Sequence, residues 1–343
     1  MSPAPLDLDV TKLERLQATG IRRIGGPSEG FAYELAAGGR VDGVHTERIA
    51  ALKIPPAWRD VRISPSPRSA VQAIGRDAAG RWQYLYAPSA VRRRERKKFQ
   101  RLVLFAEALP RMRAALEHDL APDGPPRERV LACMLRILAT RFLRPGSPEY
   151  ETANGSYGVT TFRRRHATVD GDTVVFDFKA KGGIKQRIEL ADAAVAGVVR
   201  DCLKLRGKQL FQYRDDEGKP VPVRRAALNA YIRQVLGGPF SAKDFRTWAA
   251  TLICAGALAR RGVPASEKER ARKKDIVAAV KETAESLRNT PAIARASYIS
   301  PKVLESYEKG RVLDFTFDSV DELLDTPRLQ RAEKALLELL KAS

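Results

Sequence analysis

Tyr298 ends the run Thr290-Pro291-Ala292-Ile293-Ala294-Arg295-Ala296-Ser297-Tyr298. Threonine as N-cap with proline at the first helical position is a strong helix start, and Ser300-Pro301 starts another helix directly afterwards. The tyrosine falls at the break between the two, where a phenol can project as a nucleophile. On position alone the simpler reading is a half-buried tyrosine, one of nine in the chain, with its hydroxyl satisfied. Three cations stand in comparable settings. Ser241-Ala242-Lys243-Asp244-Phe245-Arg246-Thr247-Trp248 opens with a capping-box pattern. Phe245, Trp248, Ala249 and Leu252 share one face, so Arg246 is held near the positive end of a well-anchored helix, able to grip a phosphate oxygen. A surface arginine on a core helix is the plainer alternative. Arg144 stands where a helix is expected to stop, before Pro145-Gly146, and reads equally as a cation answering the helix dipole. Lys181 lies at a Gly-rich tip between two strands, a place for a solvated lysine or for one that delivers a proton. A nucleophile, two guanidinium groups and an acid are together what an attack on a phosphodiester needs.

Other chemistries find little support. Cys133, Cys202 and Cys254 are scattered, with no C-x-x-C pair and no disulfide spacing, as in a reducing cytosol. His45, His118 and His166 are equally dispersed, which argues against a zinc site and against a Ser-His-Asp triad. The loop Gly25-Gly26-Pro27-Ser28-Glu29-Gly30 lacks the lysine of a phosphate-binding loop and reads as a turn between strands. An activity with neither metal nor nucleotide cofactor is expected.

The chain of 343 residues, 44% of them apolar, has enough to build two domains or one large one. Its 61 Lys and Arg against 41 Asp and Glu give a net charge of +20. Self-repulsion makes such an excess costly, and a polyanion relieves it, because phosphates neutralised by Lys and Arg release counterions. A membrane surface is the rival polyanion, but no apolar run approaches the roughly 20 residues needed to span a bilayer. The first ten residues also lack a signal-peptide layout. Nucleic acid is the expected partner.

The elements that must position these side chains are legible in outline. Up to about Gly80 the chain is strand-like: Phe31–Leu35, Val61–Ile63 and Val71–Ile74 lie between Gly and Pro clusters. A basic run, Arg92-Arg93-Arg94-Glu95-Arg96-Lys97-Lys98, then leads into the helical spacing of Phe99, Leu102, Val103 and Ala106. It is read as the junction between domains. Val130, Leu131, Met134, Leu135 and Leu138 form a helical stripe. After Asp170-Gly171, a hairpin signal, Val174, Phe176 and Phe178 alternate; helices resume after Leu190 and close with an amphipathic stretch from Leu329 to Leu340. The expected fold is α+β. Residues 1–88 form a small antiparallel β-rich domain, and residues 89–343 form a larger, mainly helical domain with a β-hairpin insert.

These residues resemble the type IB DNA topoisomerases, specifically the compact branch of poxviruses and bacteria. Arg22-Arg23-Ile24, Pro55-Pro56-Ala57-Trp58 and Gly80-Arg81-Trp82-Gln83-Tyr84-Leu85-Tyr86 resemble the bacterial N-terminal domain. Phe99-Gln100-Arg101-Leu102 and Ala108-Leu109-Pro110-Arg111 continue the likeness. Arg141-Phe142-Leu143-Arg144, Asn154-Gly155-Ser156-Tyr157-Gly158, Lys243 to Trp248, and Asn289-Thr290-Pro291 through Ser297-Tyr298 resemble the catalytic motifs. The resemblance implies a tyrosine-recombinase-like catalytic fold, a C-shaped clamp around duplex DNA, and an active site of Tyr298, Arg144, Lys181, Arg246 and Asn289. Tyr298 would form a 3′-phosphotyrosyl bond, Arg144 and Arg246 would hold the non-bridging oxygens, and Lys181 would protonate the leaving 5′ oxygen. A phenol of ordinary pKa, about 10, is a poor nucleophile near neutrality, so cations beside it make chemical sense. The ester would conserve the phosphodiester energy, so that resealing needs no ATP, and relaxation of positive and negative supercoils would follow.

The chain departs from the family pattern at Asn289, where many members carry histidine, and at Ala180, where glycine usually precedes the lysine. An asparagine can hydrogen-bond a phosphate oxygen but cannot shuttle a proton. Tyr84 and Tyr86 align with DNA-contacting residues, or else form a cross-strand aromatic face. Arg92, Arg93, Arg94, Lys97 and Lys98 bind phosphates or form a solvated face, and Lys179 and Lys185 flank the hairpin tip. The expectation is a bacterial protein working as a cytoplasmic, nucleoid-associated monomer on double-stranded DNA. A tyrosine site-specific recombinase and a non-catalytic basic DNA-binding protein are the alternatives. Recombinases usually place a histidine three residues before the second arginine, and that position is Lys243 here.

Overall fold

The structure is a computed structural model that describes residues 10–263, 269–318, 322 and 326–342; most of the ten-residue start read for a leader lies outside them. The chain divides into two compact units, Met1–Lys98 and Phe99–Ser343. In the first, helix α1 (Val10–Thr19) precedes strands β1 (Ile21–Gly26) and β2 (Gly30–Glu34). Helix α2 (Gly43–Ala51) then leads to β3 (Arg59–Ile63), β4 (Val71–Arg76) and β5 (Trp82–Tyr86). The strands form one antiparallel sheet in the order β2-β1-β3-β4-β5. All of β4 except Arg76 is buried, because apolar clusters lie against it. Ile49 of α2 packs with Ile21, Trp58, Val61 and Ile63, and Leu16 of α1 packs with Val71 and Ile74. Gly75 makes room for Trp58: a Cβ there would lie 2.7 Å from its Cε3.

The β-rich reading of this unit holds, with α1 and α2 added. Their signature is short: Ile49 is the buried residue of α2, which leaves little periodic stripe to read. The basic run is not a linker. It lies inside helix α3 (Pro88–Leu120), 33 residues long. The compact units divide within that helix, after Lys98, whereas the sequence places the boundary at its start, after residue 88.

In the second unit α3 is followed by α4 (Arg127–Arg141), α5 (Pro148–Asn154) and the strands β6 (Ala167–Asp170), β7 (Thr173–Lys179) and β8 (Lys185–Ala191). Helix α6 (Ala193–Lys204), a short pair β9 (Gln212–Arg214) and β10 (Pro220–Pro222), and α7 (Arg225–Leu236) come next. The chain continues through α8 (Ala242–Arg261), α9 (Glu269–Ser286), α10 (Pro291–Ser297), α11 (Pro301–Glu308) and α12 (Thr326–Lys341). Helix α8 is buried on all sides from Phe245 to Ala259, as expected of a helix at the centre of a helical domain. Its start is the anticipated capping box: Ser241 N–H and its hydroxyl both donate to Asp244 Oδ2, at 2.8 and 3.0 Å. The closing helix α12 lays Leu329, Ala332, Leu336 and Leu340 into the same core. Its buried Glu333 accepts from Arg113 of α3 and from Trp248 Nε1 of α8.

The β insert is larger than a hairpin. Strands β6, β7 and β8 make a three-stranded antiparallel sheet, with β7 and β8 paired from Thr173–Ala191 to Lys179–Lys185. The β9–β10 pair, three residues a strand, is too short for an alternating pattern to reveal it. Among the described residues no helix is long and apolar enough to cross a membrane.

Candidate active site

Two helix ends and one hairpin build the site. Helix α4 stops at Phe142, a non-glycine residue in the left-handed region at φ 53°. That turn, unusual for a bulky side chain, aims the Phe142 carbonyl at Arg246, which donates to it. Helix α9 ends in a similar way. Arg288 takes φ 49°, and the Asn289 N–H closes back on the Ala284 carbonyl at 2.8 Å, the 6→1 bond of a Schellman end. The last carbonyls of α9 are thereby presented to two cations. Arg246 donates to Leu287 O at 2.8 Å, and Arg144 donates to Arg288 O at 3.3 Å and to Asn289 Oδ1 at 2.7 Å. The negative end of a helix dipole suits a guanidinium.

Burial distinguishes the two arginines. Arg246 is 5% exposed, so the reading of a surface arginine on a core helix is set aside. Arg144 is half-buried and lies in the loop beyond α4 rather than in its last turn. Burial first, then the like charge of Arg144, holds the Arg246 pKa below the ordinary arginine value, while Tyr298 opposes the shift. Burial lowers Arg144 too, again opposed by Tyr298. The Arg246 guanidinium carbon lies 5.7 Å from the centroid of the Tyr298 ring. Arg246 Nε and Asn289 Nδ2 are buried donors without a hydrogen-bond acceptor among the described residues.

Tyr298 occupies the helix break foreseen for it. Thr290 caps α10, its hydroxyl accepting from Ile293 N–H at 3.3 Å, and Tyr298 is the C-cap with φ −131° and ψ −37°. The side chain is half-buried. Lys181 sits exposed in a short turn between β7 and β8. Ala180, where the family pattern has glycine, takes φ −88° and ψ −179°, an extended conformation open to any L-residue. Lys179 and Lys185 are exposed register partners at the base of the turn.

A cleft of about 370 Å³ collects Arg144, Arg246 and Lys181. Asn289 and Tyr298 are not among the residues that line it; Asn289 adjoins through its bond to Arg144 and Tyr298 through the approach of its ring to Arg246. Arg141, Arg187 and Arg288 also line the cleft and were not singled out in the sequence. A signal for Arg187 existed: it lies two residues from Lys185 on β8 and is likewise exposed. Tyr157 lines the cleft as well. Its N–H donates to Lys179 O at 2.8 Å, and its ring packs 4.4 Å from that of His166.

The remaining sequence-predicted residues lie in the N-terminal unit. Tyr84 and Tyr86 stack, with centroids 6.2 Å apart, and pack half-buried against the Leu16 cluster. The Tyr84 hydroxyl is buried and has no partner among the described residues. Arg92, Arg93 and Lys97 are exposed on α3, while Arg94 and Lys98 are half-buried.

Comparison with known proteins gives consistent matches. Residues 88–313 match the model of the eukaryotic DNA topoisomerase I catalytic core, and residues 30–77 match that of the bacterial DNA topoisomerase IB N-terminal domain. DNA topoisomerase 1B of Acanthamoeba polyphaga mimivirus is 34% identical over 271 residues, 77% of this chain and 80% of the relative. DNA topoisomerase 1B of vaccinia virus strain Copenhagen is 22% identical over 250 residues, 71% of this chain and 76% of the relative. Among solved structures, the XerH site-specific recombinase bound to its difH substrate matches 58% of this chain and 51% of its own, with TM-score 0.36 and 14% identity.

Proposed function

The chain belongs to the type IB DNA topoisomerases, and on that premise we propose that Tyr298 attacks a backbone phosphorus of duplex DNA. The phenol loses its proton to solvent, the bond formed is a 3′-phosphotyrosyl ester, and the bond broken is that between phosphorus and the 5′ oxygen, which leaves with its strand. Arg144 and Arg246 hold the non-bridging oxygens, where charge grows in the five-coordinate transition state. Lys181 supplies the proton that the 5′ oxygen takes up on leaving. Asn289 Nδ2 hydrogen-bonds a phosphate oxygen and moves no proton. Reversal of the step reseals the strand, because the ester retains the energy of the bond it replaced. Rotation between the two steps relaxes supercoils of either sign without ATP.

The observation that carries this reading is the convergence of Arg144 and Arg246 on the end of α9 beside the Tyr298 ring. Two cations are held together by carbonyls, and Arg246 Nε and Asn289 Nδ2 beside them are buried donors without an acceptor among the described residues. The N-terminal unit serves as a DNA-gripping domain through Tyr84, Tyr86, Arg92, Arg93, Arg94, Lys97 and Lys98. Lys179 and Lys185 track the backbone beside the hairpin tip. The protein acts as a monomer on double-stranded DNA, in the nucleoid of a bacterial cytoplasm, with side chains alone supplying the charge that a metal would otherwise bring. The test is Tyr298→Phe: plasmid relaxation is lost while duplex affinity stays within about twofold, since phosphate contacts set affinity. Relaxation at the wild-type rate would refute the assignment.

A further inference from the structure

Tyr298 ends a helix of seven residues, too short to hold its own last turn firmly. Its backbone is fixed from two sides. On the near side, the N–H groups of Tyr298 and Ile299 both donate to Ala294 O, at 3.0 and 2.9 Å. On the far side stands a single hydroxyl, Thr251 Oγ1 of α8. It lies 3.2 Å from Tyr298 O, accepts from Ser300 N–H at 3.1 Å, and lies 2.8 Å from the Thr247 carbonyl in its own helix. Thr251 and Ser300 are both 0% exposed, so water cannot take over the bond between them.

From this geometry we infer that Thr251 is a positioning residue for the nucleophile. The inference rests on Tyr298 being the attacking residue. A hydroxyl has one proton and two lone pairs. Thr251 can hold the Ser300 amide while its proton is shared between the Thr247 and Tyr298 carbonyls, clamping the chain just after the tyrosine Cα. Thr251 also follows Arg246 by five residues on one rigid helix, roughly 7.5 Å along its axis. The same element therefore sets the place of a phosphate-holding cation and the place of the phenol. That couples the two groups whose relative position decides in-line attack. A valine is nearly isosteric with threonine but can neither accept from Ser300 nor donate to Tyr298, so the turn loses its fixed register while the core stays filled.

The experiment measures covalent adduct formation in single turnover on a nicked suicide duplex, together with duplex affinity and melting temperature. Thr251→Val is expected to slow adduct formation roughly ten- to hundredfold, the cost of a misplaced reacting group, with duplex affinity unchanged. Thr251→Ser, which keeps the hydroxyl, is expected to restore the rate. Wild-type adduct formation by Thr251→Val overturns the inference, as does a Thr251→Ser variant as slow as Thr251→Val. Should Thr251→Val not fold, Thr251→Cys decides, because a thiol is a weak hydrogen-bonding group: slow cleavage with native affinity supports the inference and a wild-type rate overturns it. Tyr298→Phe is run alongside. An adduct that persists there sinks the nucleophile assignment itself, an outcome distinct from any result at Thr251.

Discussion

Replacing Arg246 with lysine keeps the charge and removes the fork, which separates two contributions that the structure joins. The guanidinium donates to carbonyls from two chain segments, Phe142 at the end of α4 and Leu287 at the end of α9. A lysine ammonium is a point donor on a narrower head, and it cannot reach both carbonyls while still facing a phosphate. One carbonyl at a site only 5% exposed then loses its partner. The cost of such an orphan is about 1–3 kcal/mol, which for a unit of this size lowers the melting temperature by roughly 2–10 °C. Loss of one donor on a transition-state oxygen slows cleavage by about 100- to 1,000-fold. Duplex affinity changes little, because the charge that releases counterions remains. Thermal melts and single-turnover adduct formation with Arg246→Lys read both numbers. A variant that melts with the wild type and cleaves within about tenfold of its rate would show that the fork holds neither helix ends nor phosphate.

Two further outcomes follow from the same geometry. Lys181→Ala should slow cleavage of ordinary DNA by about 100-fold or more, the usual worth of a general acid. It should slow much less the cleavage of a substrate whose leaving group is a thiolate, which needs no proton; equal slowing on both would exclude the proton-donor role. His166 titrates at about 4 rather than the ordinary 6.5, chiefly because it is buried and then because Arg165 and Arg163 stand beside it. Its neutral ring accepts from the Arg163 N–H at 3.0 Å, so the stability it lends is complete above pH 6.5 and is lost as pH falls through 4. Discounted for solvent screening, this amounts to at most about 2 kcal/mol. The melting temperature of wild type should therefore fall faster than that of His166→Gln between pH 6.5 and 4, and parallel curves would remove His166 as the acid-sensitive group.

What could be read from the sequence followed from how local each signal is. The break at Tyr298 is written in Thr290-Pro291 and Ser300-Pro301, cap residues whose effect is confined to one turn, and the structure repeats it. The capping box at Ser241 and the exposed Lys181 turn are local in the same sense. The settings of Arg144 and Arg246 were not legible. Nothing near Arg246 in the chain says that its acceptors are the carbonyls of Phe142 and Leu287, 104 and 41 residues away. The pattern around it reads as an ordinary anchored helix, which leaves an arginine free to be on the surface. Thr251 was invisible for the same reason: a threonine among apolar residues of a core helix gives no sign of the turn it holds. Local signals singled out Tyr298, Arg246, Arg144 and Lys181 with a plainer reading beside each, and the resemblance to a known family supplied their roles and added Asn289.

The electrostatics of that pair carry the functional argument one step further. Both guanidinium groups lose hydration, which lowers both pKa values, and Arg246, nearly buried, is lowered further by the like charge of Arg144. Arginine nonetheless does not give up its proton in proteins, so the site cannot relieve this cost by becoming neutral. It is met in part by helix geometry, since Phe142 O, Leu287 O and Arg288 O, in the turns that end α4 and α9, are directed at the cations. What those carbonyls leave uncompensated is the positive charge of the two arginines, and Arg246 Nε and the neutral Asn289 Nδ2 stay buried without an acceptor among the described residues. Carbonyl dipoles hold the charge in place without cancelling it, whereas a carboxylate partner would have cancelled it and blocked an anion. Neither Arg144 nor Arg246 has a carboxylate partner in the contacts seen among the described residues, although Arg113, Arg129, Arg136 and Arg163 of the same unit do. Those four are paired with acids, whereas the two beside Tyr298 are held by dipoles, an arrangement that under the proposed mechanism leaves their charge for the growing negative charge of a phosphate under attack.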